Sequence, residues 1–362
     1  MKIKDKRIPV AIASVATIAI VLSMISRNDD SILSRAKPLC KTDDWAVPQA
    51  DYGFYANCNL EQRKLNAHYL WLNDNEIMSF TRTENRIQAC RIMLSSTPTE
   101  LAPVPISGVE ITGKPEPISI SPDGKSLLWY DYASNPTITP HVSTLDGVQS
   151  KIFSSVNWQR YFWSPDSKSL VYTTPTRAGF DIRSVDISRR KTQTLASLKT
   201  TTPINPFSEL SLPASGNAVF DAYDSKSSSM RFVDCNMKDR TLPLRVSRIK
   251  LHKNERAVNS LLSPDGKTLL VTTSHANNNL FEGLKLELTD LFNYGYMYKH
   301  NRWHAYSQNG ERIELGSYDM FTSPTPPYGP KPRTGIGGVK WTPNSKSISF
   351  IHQGTLYLLP VN

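Results

Sequence analysis

From Tyr52 onward the chain is written in short apolar runs separated by compact polar turns, and the breaks recur every eight to twelve residues or so. That rhythm predicts an all-β domain, since helical periodicity is nearly absent. One turn stands out. Ser121-Pro-Asp-Gly-Lys125 feeds the extended run Ser126-Leu-Leu-Trp-Tyr130, and the pattern returns as Ser164-Pro-Asp-Ser-Lys168 before Ser169-Leu-Val-Tyr172. It recurs as Ser263-Pro-Asp-Gly-Lys267 before Thr268-Leu-Leu-Val271, and as Thr342-Pro-Asn-Ser-Lys346 before Ser347-Ile-Ser-Phe350. Proline fixes φ at the first central position, Asp can bond nearby backbone N–H groups, and Gly or Ser tolerates the left-handed closure.

Two weaker copies fill the intervals, Trp71-Leu-Asn73-Asp74 and Leu212-Pro213-Ala-Ser-Gly216. Aligned on Asn73, Pro122, Pro165, Pro213, Pro264 and Pro343, the units repeat at about 43–51 residues, with the last interval stretched to about 79. Several units carry a further strand, turn and strand downstream, as at Asp181–Asp186, Met230–Asp234 and Thr355–Leu359. Four short strands repeated at that length make a propeller blade. One blade cannot bury both its faces, so the units must stack and the ring must close. The expectation is a six-bladed β-propeller over residues 51–362.

Ser-Pro-Asp-Gly-Lys before an apolar strand resembles the WD40-like repeat of the TolB propeller family, over residues 65–362 or so. Pro122, Asp123, Pro165, Asp166, Pro264, Asp265 and Pro343 are its turn residues here, and repetition in blade after blade marks them as structural. The resemblance implies a ring closed by a strand from the other terminus. The final unit looks one strand short, and Gly53–Asn57 or the stretch up to Leu65 could supply it. It also implies protein–protein interaction at a cell envelope, by analogy of fold only. The chain departs from that pattern in leaving no room for the extra amino-terminal domain that TolB carries.

The amino terminus changes the picture. A basic tail, residues 1–7, precedes residues 8–25, which carry no charge, and Arg27, Asp29 and Asp30 end the apolar stretch. The length is near the lower limit for crossing a bilayer and exceeds most signal-peptide cores. Cations ahead of it predict a cytoplasmic tail and an extracytoplasmic bulk, periplasmic or extracellular. An uncleaved signal anchor is the favoured reading. Cleavage near Ser23 or Ala36 is the competing one. Residues 26–50, polar and irregular, read as a spacer.

Four cysteines, Cys40, Cys58, Cys90 and Cys235, show no metal-type spacing. In an oxidising compartment they permit two disulfides in three connectivities. Cys40–Cys58 is the preferred pair, stapling the spacer to the domain, and Cys90 and Cys235 read equally well as small buried hydrophobes. The net charge of +10 is spread thinly beyond the leader. Nucleic acid would demand a concentrated basic stripe, and none is visible.

Residues 275–303 interrupt the fifth unit with an aromatic-rich insertion bearing Phe281, Phe292, Tyr294, Tyr296, Tyr298 and Trp303. These are the candidate contacts for a partner or glycan. The alternative is that the insertion merely extends two strands of its own blade. A proline-rich loop, residues 323–335, leads into the last unit. Long propeller loops are natural contact surfaces.

No GxSxG, HExxH, Walker-type loop or GxGxxG occurs, and nothing in the sequence calls for a cofactor or metal. The seven histidines read as solvated or hydrogen-bonded, and no residue is assigned as catalytic. The leading expectation is a membrane-anchored scaffold that binds an envelope protein or glycan. The runner-up is an envelope hydrolase or lyase acting on glycan or peptide, which a His, Asp/Glu and Arg cluster at the channel mouth would favour. A small-ligand sensor is the third.

Overall fold

The computed structural model describes residues 31–42, 69–83, 86–94, 104–112, 115–131, 139–146, 150–152, 161–177, 179–199, 210–212, 217–224, 229–236, 245–252, 255–275, 297–322 and 336–361. They form one short helix and 24 strands, arranged as six four-stranded antiparallel sheets. The chain is a β-propeller.

Five sheets are simple meanders in chain order. The first holds β2 (Tyr69–Asn73), β3 (Glu76–Thr83), β4 (Arg86–Met93) and β5 (Val104–Thr112). The second holds β6 (Pro115–Ile120), β7 (Ser126–Asp131), β8 (Thr139–Thr144) and β9 (Ser150–Ile152). The third runs through β10 (Phe162–Trp163), β11 (Ser169–Thr176), β12 (Gly179–Asp186) and β13 (Thr192–Lys199). The fourth comprises β14 (Leu210–Ser211), β15 (Asn217–Asp224), β16 (Ser229–Asn236) and β17 (Arg245–Lys250). The fifth comprises β18 (Glu255–Leu262), β19 (Thr268–His275), β20 (Met297–Ser307) and β21 (Arg312–Thr322). First strands of neighbouring sheets approach one another, β2 against β6 and β18 against β22 (Ile336–Trp341), as they must at the centre of a ring.

The last sheet mixes the termini. Its order is β1-β24-β23-β22, with β23 (Ser347–His352) and β24 (Thr355–Pro360) joined on the outside by β1 (Lys37–Lys41). The closing strand is therefore Lys37–Lys41, and not the Gly53–Leu65 stretch expected from the sequence. The expected spacer is corrected with it, because residues 31–42 are part of the folded ring. Helix α1 (Ile32–Arg35), capped by the Ser31 hydroxyl on the Leu33 amide at 3.3 Å, buries Ile32 completely. Pattern reading missed this stretch because one helical turn and a five-residue strand are too short to show a period.

Burial follows the turn-and-strand code. Leu127 and Leu128, Leu170 and Val171, Leu269 and Leu270, and Phe350 and Ile351 are all buried in the strand after the turn. Two neighbours in one strand point to opposite faces, so each such strand feeds two inter-sheet cores. Five seams are described. The seam between last and first sheets joins Leu39, Cys40, Ile351 and Leu356 to Tyr69, Ile77 and Ile92. There the Tyr69 hydroxyl donates to the Gly338 carbonyl at 2.7 Å, and Trp71 Nε1 donates to Ser349 Oγ at 2.8 Å.

The transmembrane assignment of residues 8–25 lies outside the described residues. Among the described residues no helix is long and apolar enough to cross a membrane.

Candidate functional site

The geometry of the repeated turn is that of a staple. In the second sheet Ser121 Oγ donates to Asp123 Oδ1 at 2.6 Å and accepts from the Ser126 amide at 2.8 Å, while the Lys125 amide donates to the same carboxylate at 3.1 Å. The Ser164/Asp166 and Ser263/Asp265 turns repeat the arrangement. The Ser164 hydroxyl and the Lys168 amide hold the Asp166 carboxyl below its ordinary range. In the last sheet Asn344 Oδ1 takes the same two bonds, from Thr342 Oγ1 at 2.7 Å and the Lys346 amide at 2.9 Å. An amide oxygen serves where the others have a carboxylate, so the turn requires an acceptor and not a charge.

The turns also bond to each other around the ring. The Asp123 amide donates to Ser167 Oγ at 3.0 Å, the Asp265 amide to Ser345 Oγ at 3.1 Å, and the Asn344 amide to Asp74 Oδ1 at 3.1 Å. Ser167 and Ser345 sit at φ 60° and 62°, where the Gly124 and Gly266 positions have φ 70°. A left-handed serine is strained relative to glycine, and the inter-sheet bond offsets that strain.

Only one set of charged side chains is drawn together in the interior among the described residues, on one face of the fifth sheet. Glu255 opens β18, His304 lies midway along β20 and Arg312 opens β21. Arg312 grips Glu255 with both terminal nitrogens, Nη1 to Oε2 at 3.1 Å and Nη2 to Oε1 at 3.0 Å. The His252 amide donates to Oε2 at 2.9 Å. His304 Nε2 lies 3.1 Å from Arg312 Nη2, 3.2 Å from Thr273 Oγ1 and 3.5 Å from Glu255 Oε1. Arginine can only donate, so His304 Nε2 accepts from it and the proton sits on Nδ1. Burial and the Arg312 charge draw the imidazole down to about 4, against the opposing pull of Glu255. Burial alone would raise Glu255, but the Arg312 bonds and the His252 amide outweigh it and hold the carboxyl low.

The cluster thus contains a neutral histidine, a carboxylate and a guanidinium. It lies on the face turned toward the fourth sheet, with Tyr306 and Val271. Glu255 and His304 side chains are 1% and 0% exposed and Arg312 is 20% exposed, so a substrate would have to displace the pair to reach them. Two buried atoms, His304 Nδ1 and Tyr306 OH, have no hydrogen-bond partner among the described residues. No grouping of three or more His, Cys, Asp or Glu fit to hold a metal occurs among the described residues.

The aromatic candidates divide. Phe281, Phe292, Tyr294 and Tyr296 lie outside the described residues. Tyr298 falls within β20, opposite Phe321 of β21. Trp303 is corrected outright: it is fully buried, edge-on to Phe350 at 5.4 Å and to Tyr318 at 5.5 Å, in the core between the fifth and last sheets. The carboxyl-terminal part of the insertion, Met297–Trp303, is therefore the first part of β20 and pairs with β21, which was the alternative to a contact loop. Of the expected Cys40–Cys58 pair, only Cys40 is among the described residues. Cys40 is a free, buried thiol in β1, pushed up to about 12 by burial, and Cys58 lies outside the described residues. Cys90 is also free and buried.

What the sequence reading missed is the Glu255–His304–Arg312 cluster. Glu255 and Arg312 are 57 residues apart, and no local spacing marks them.

No family model matches the chain, and no curated protein matches it. Solved structures do resemble it in arrangement. A candidate TolB from Agrobacterium tumefaciens is 16% identical, covering 81% of this chain and 89% of its own, with a TM-score of 0.46. TolB from Acinetobacter baumannii is 14% identical, covering 80% of this chain and 64% of its own, at 0.44. An oligogalacturonate lyase from Vibrio parahaemolyticus is 9% identical, covering 90% of each chain, at 0.45. At these values neither activity nor ligand transfers. The six four-stranded antiparallel sheets described above make the chain a β-propeller.

Proposed function

We propose that this chain is a membrane-anchored, extracytoplasmic scaffold that binds a protein or ligand at the cell envelope, its six sheets forming the six blades of a closed ring. The observation that carries the reading is the junction of leader and fold. Ser31 to Lys41 follows the apolar stretch 8–25 almost directly, and it is built into the propeller through buried Ile32 and the β1–β24 pairing. Cleavage after Ala36 would remove Ile32 from a core shared with Trp303, Trp341 and Phe350. That speaks against cleavage at Ala36 and leaves Ser23 as the competing site.

The enzymatic reading has its best candidate in Glu255, His304 and Arg312. Their bonds to one another leave the scaffold the stronger proposal.

The test is cross-linking in native cells through a carboxyl-terminal tag, comparing the intact chain with one lacking residues 276–296. Membrane retention after carbonate washing, with one envelope component captured in stoichiometric amount by the intact chain alone, is the expected result. A mature mass lacking residues 1–23, with the protein free of the membrane, overturns the anchor. Equal capture by both forms overturns the insertion as the binding element.

A further inference from the structure

Each sheet ends in an outermost strand at the rim, and an unpaired outer strand presents backbone N–H and C=O groups that another chain can bond. These strands are guarded unequally. β5 carries Pro105 and Gly108, β9 is three residues long, and β1 carries Pro38. β17 has Arg245, Arg248 and Lys250 within its six residues. The outer side of β21 is already occupied, because Ser31 bridges to Ser317 and Arg35 Nη1 donates to the Glu314 carbonyl at 2.9 Å. A segment of chain laid on an outer strand is thus a contact that this fold already makes with itself.

β13 differs from the others. It is eight residues long, holds neither proline nor glycine, and ends its sheet, with β12 on one side and no strand on the other among the described residues. The Asp186 amide donates to the Lys191 carbonyl at 3.1 Å. Alternation along an antiparallel pair then turns the N–H and C=O of Thr192 and Thr194 away from β12. Both residues are exposed, as is Gln193 between them.

The hairpin leading into β13 is a fixed basic tip. Asp186 Oδ1 accepts from Ser188 Oγ and from the Arg189 amide, both at 2.7 Å, and the Arg190 amide donates to the Asp186 carbonyl at 2.8 Å. Arg190 takes the left-handed place, φ 57°, which glycine fills at lower cost. Arg189, Arg190 and Lys191 are exposed, and the Ile187 amide donates to the Lys168 carbonyl at 3.0 Å, which adds a fourth exposed cation. Residues 161–199 hold seven Lys or Arg against three Asp, and all three acids are engaged. Asp166 and Asp186 brace their turns, while Asp181 is bonded by Arg183 and Ser197. The tip cations have no ion-pair partner among the described residues.

We propose that β13 receives an extended acidic segment of a partner protein as a fifth strand, its backbone bonding Thr192 and Thr194 and its carboxylates meeting the basic tip. A second copy of this edge is the wrong occupant, because pairing the two sets Lys191 and Lys199 of one against the same cations of the other. The surface belongs to the third sheet and does not depend on residues 276–296.

The experiment is fluorescence anisotropy with the full chain in a neutral detergent. The probe is a labelled peptide of six alternating Thr and Val residues, flanked at each end by two Glu residues. Binding is expected, at least tenfold weaker when the peptide is N-methylated throughout. A similar loss is expected when Arg189→Glu, Arg190→Glu and Lys191→Glu are combined, which changes exposed side chains only. No binding, or equal binding of a peptide with Lys flanks, overturns the surface. Equal binding of the N-methylated peptide reduces the contact to charge and overturns strand addition. Phosphatidylglycerol nanodiscs bound through the tip, with no peptide binding, assign the cations to lipid and overturn the proposal. Self-association abolished by Thr194→Pro assigns the edge to a second copy and does the same.

Discussion

The two faces of the fifth sheet solve the same packing problem with opposite chemistry. Toward the last sheet, Leu270, Trp303, Ala305 and Leu315 meet Trp341, Ile348, Phe350 and Ile32 in an apolar core. Toward the fourth sheet, Val271 and Tyr306 share the face with Thr273, His304, Glu255 and Arg312. The apolar face gains from every buried surface and is indifferent to pH. The polar face loses solvation on burial and recovers it only while all its partners are in place. One seam should therefore tolerate changes of charge state and fail on loss of volume, while the other should do the reverse.

The comparison is tested most severely by deleting residues 31–41. That removes Ile32 from the apolar seam and exposes the edge of β24, and the chain should lose its cooperative unfolding transition by calorimetry. Trp303→Ala should cost about 3–5 kcal/mol, read from denaturant unfolding, because the indole fills a fully enclosed site. Arg312→Met should cost about as much at neutral pH, ~3–5 kcal/mol, by stranding the Glu255 carboxylate in the interior. The two variants part company in acid. The Arg312→Met deficit should shrink as the stranded carboxyl takes up a proton, whereas the Trp303→Ala deficit should not move.

A smaller effect sharpens the same contrast in the unmodified chain. His304 titrates at about 4 in the folded protein against an ordinary value near 6.5, so between those values the unfolded chain binds more protons. Its stabilising contribution is complete above pH 6.5 and is lost as pH falls toward 4. Glu255, held low, adds a loss in the same direction below its unfolded value. The thermal midpoint should decline from pH 6.5 downward, and His304→Leu should flatten the upper part of that decline. A midpoint that stays level from pH 7 to 4.5 would falsify the assignment of a neutral, buried histidine.

The smallest effect lies at the turn-to-turn bonds. Ser167→Gly loses the bond from Asp123 but relieves the backbone at φ 60°, and should change stability by no more than about 0.5 kcal/mol. Ser167→Ala keeps the strain and loses the bond, and should cost about 1 kcal/mol. If the two cost the same in urea unfolding, the serine does not act through that bond.

The local rules are visible in the chain itself. Proline, an acceptor and a left-handed residue at fixed offsets, followed by paired apolar residues, mark each turn and the strand after it, because those preferences act within five or six residues. The weak first unit was readable as a turn but one residue out of register: Asn73, aligned with the prolines, accepts from the Asn75 amide at 2.9 Å where the strong units use Asp. Trp303 misled for the same reason that the turns informed. An aromatic in a long interruption reads as a contact residue until the strand it extends is known.

The sequence by itself thus determined the β class, the repeat and the apolar leader, all of which are local patterns. Tertiary structure alone decided that Lys37–Lys41 closes the ring, that Cys40 is a buried free thiol, and that Glu255, His304 and Arg312 meet on one face. Those three depend on contacts between residues far apart in the chain. Their energy exists only once the sheets are stacked and water is gone, and no spacing along the sequence records it.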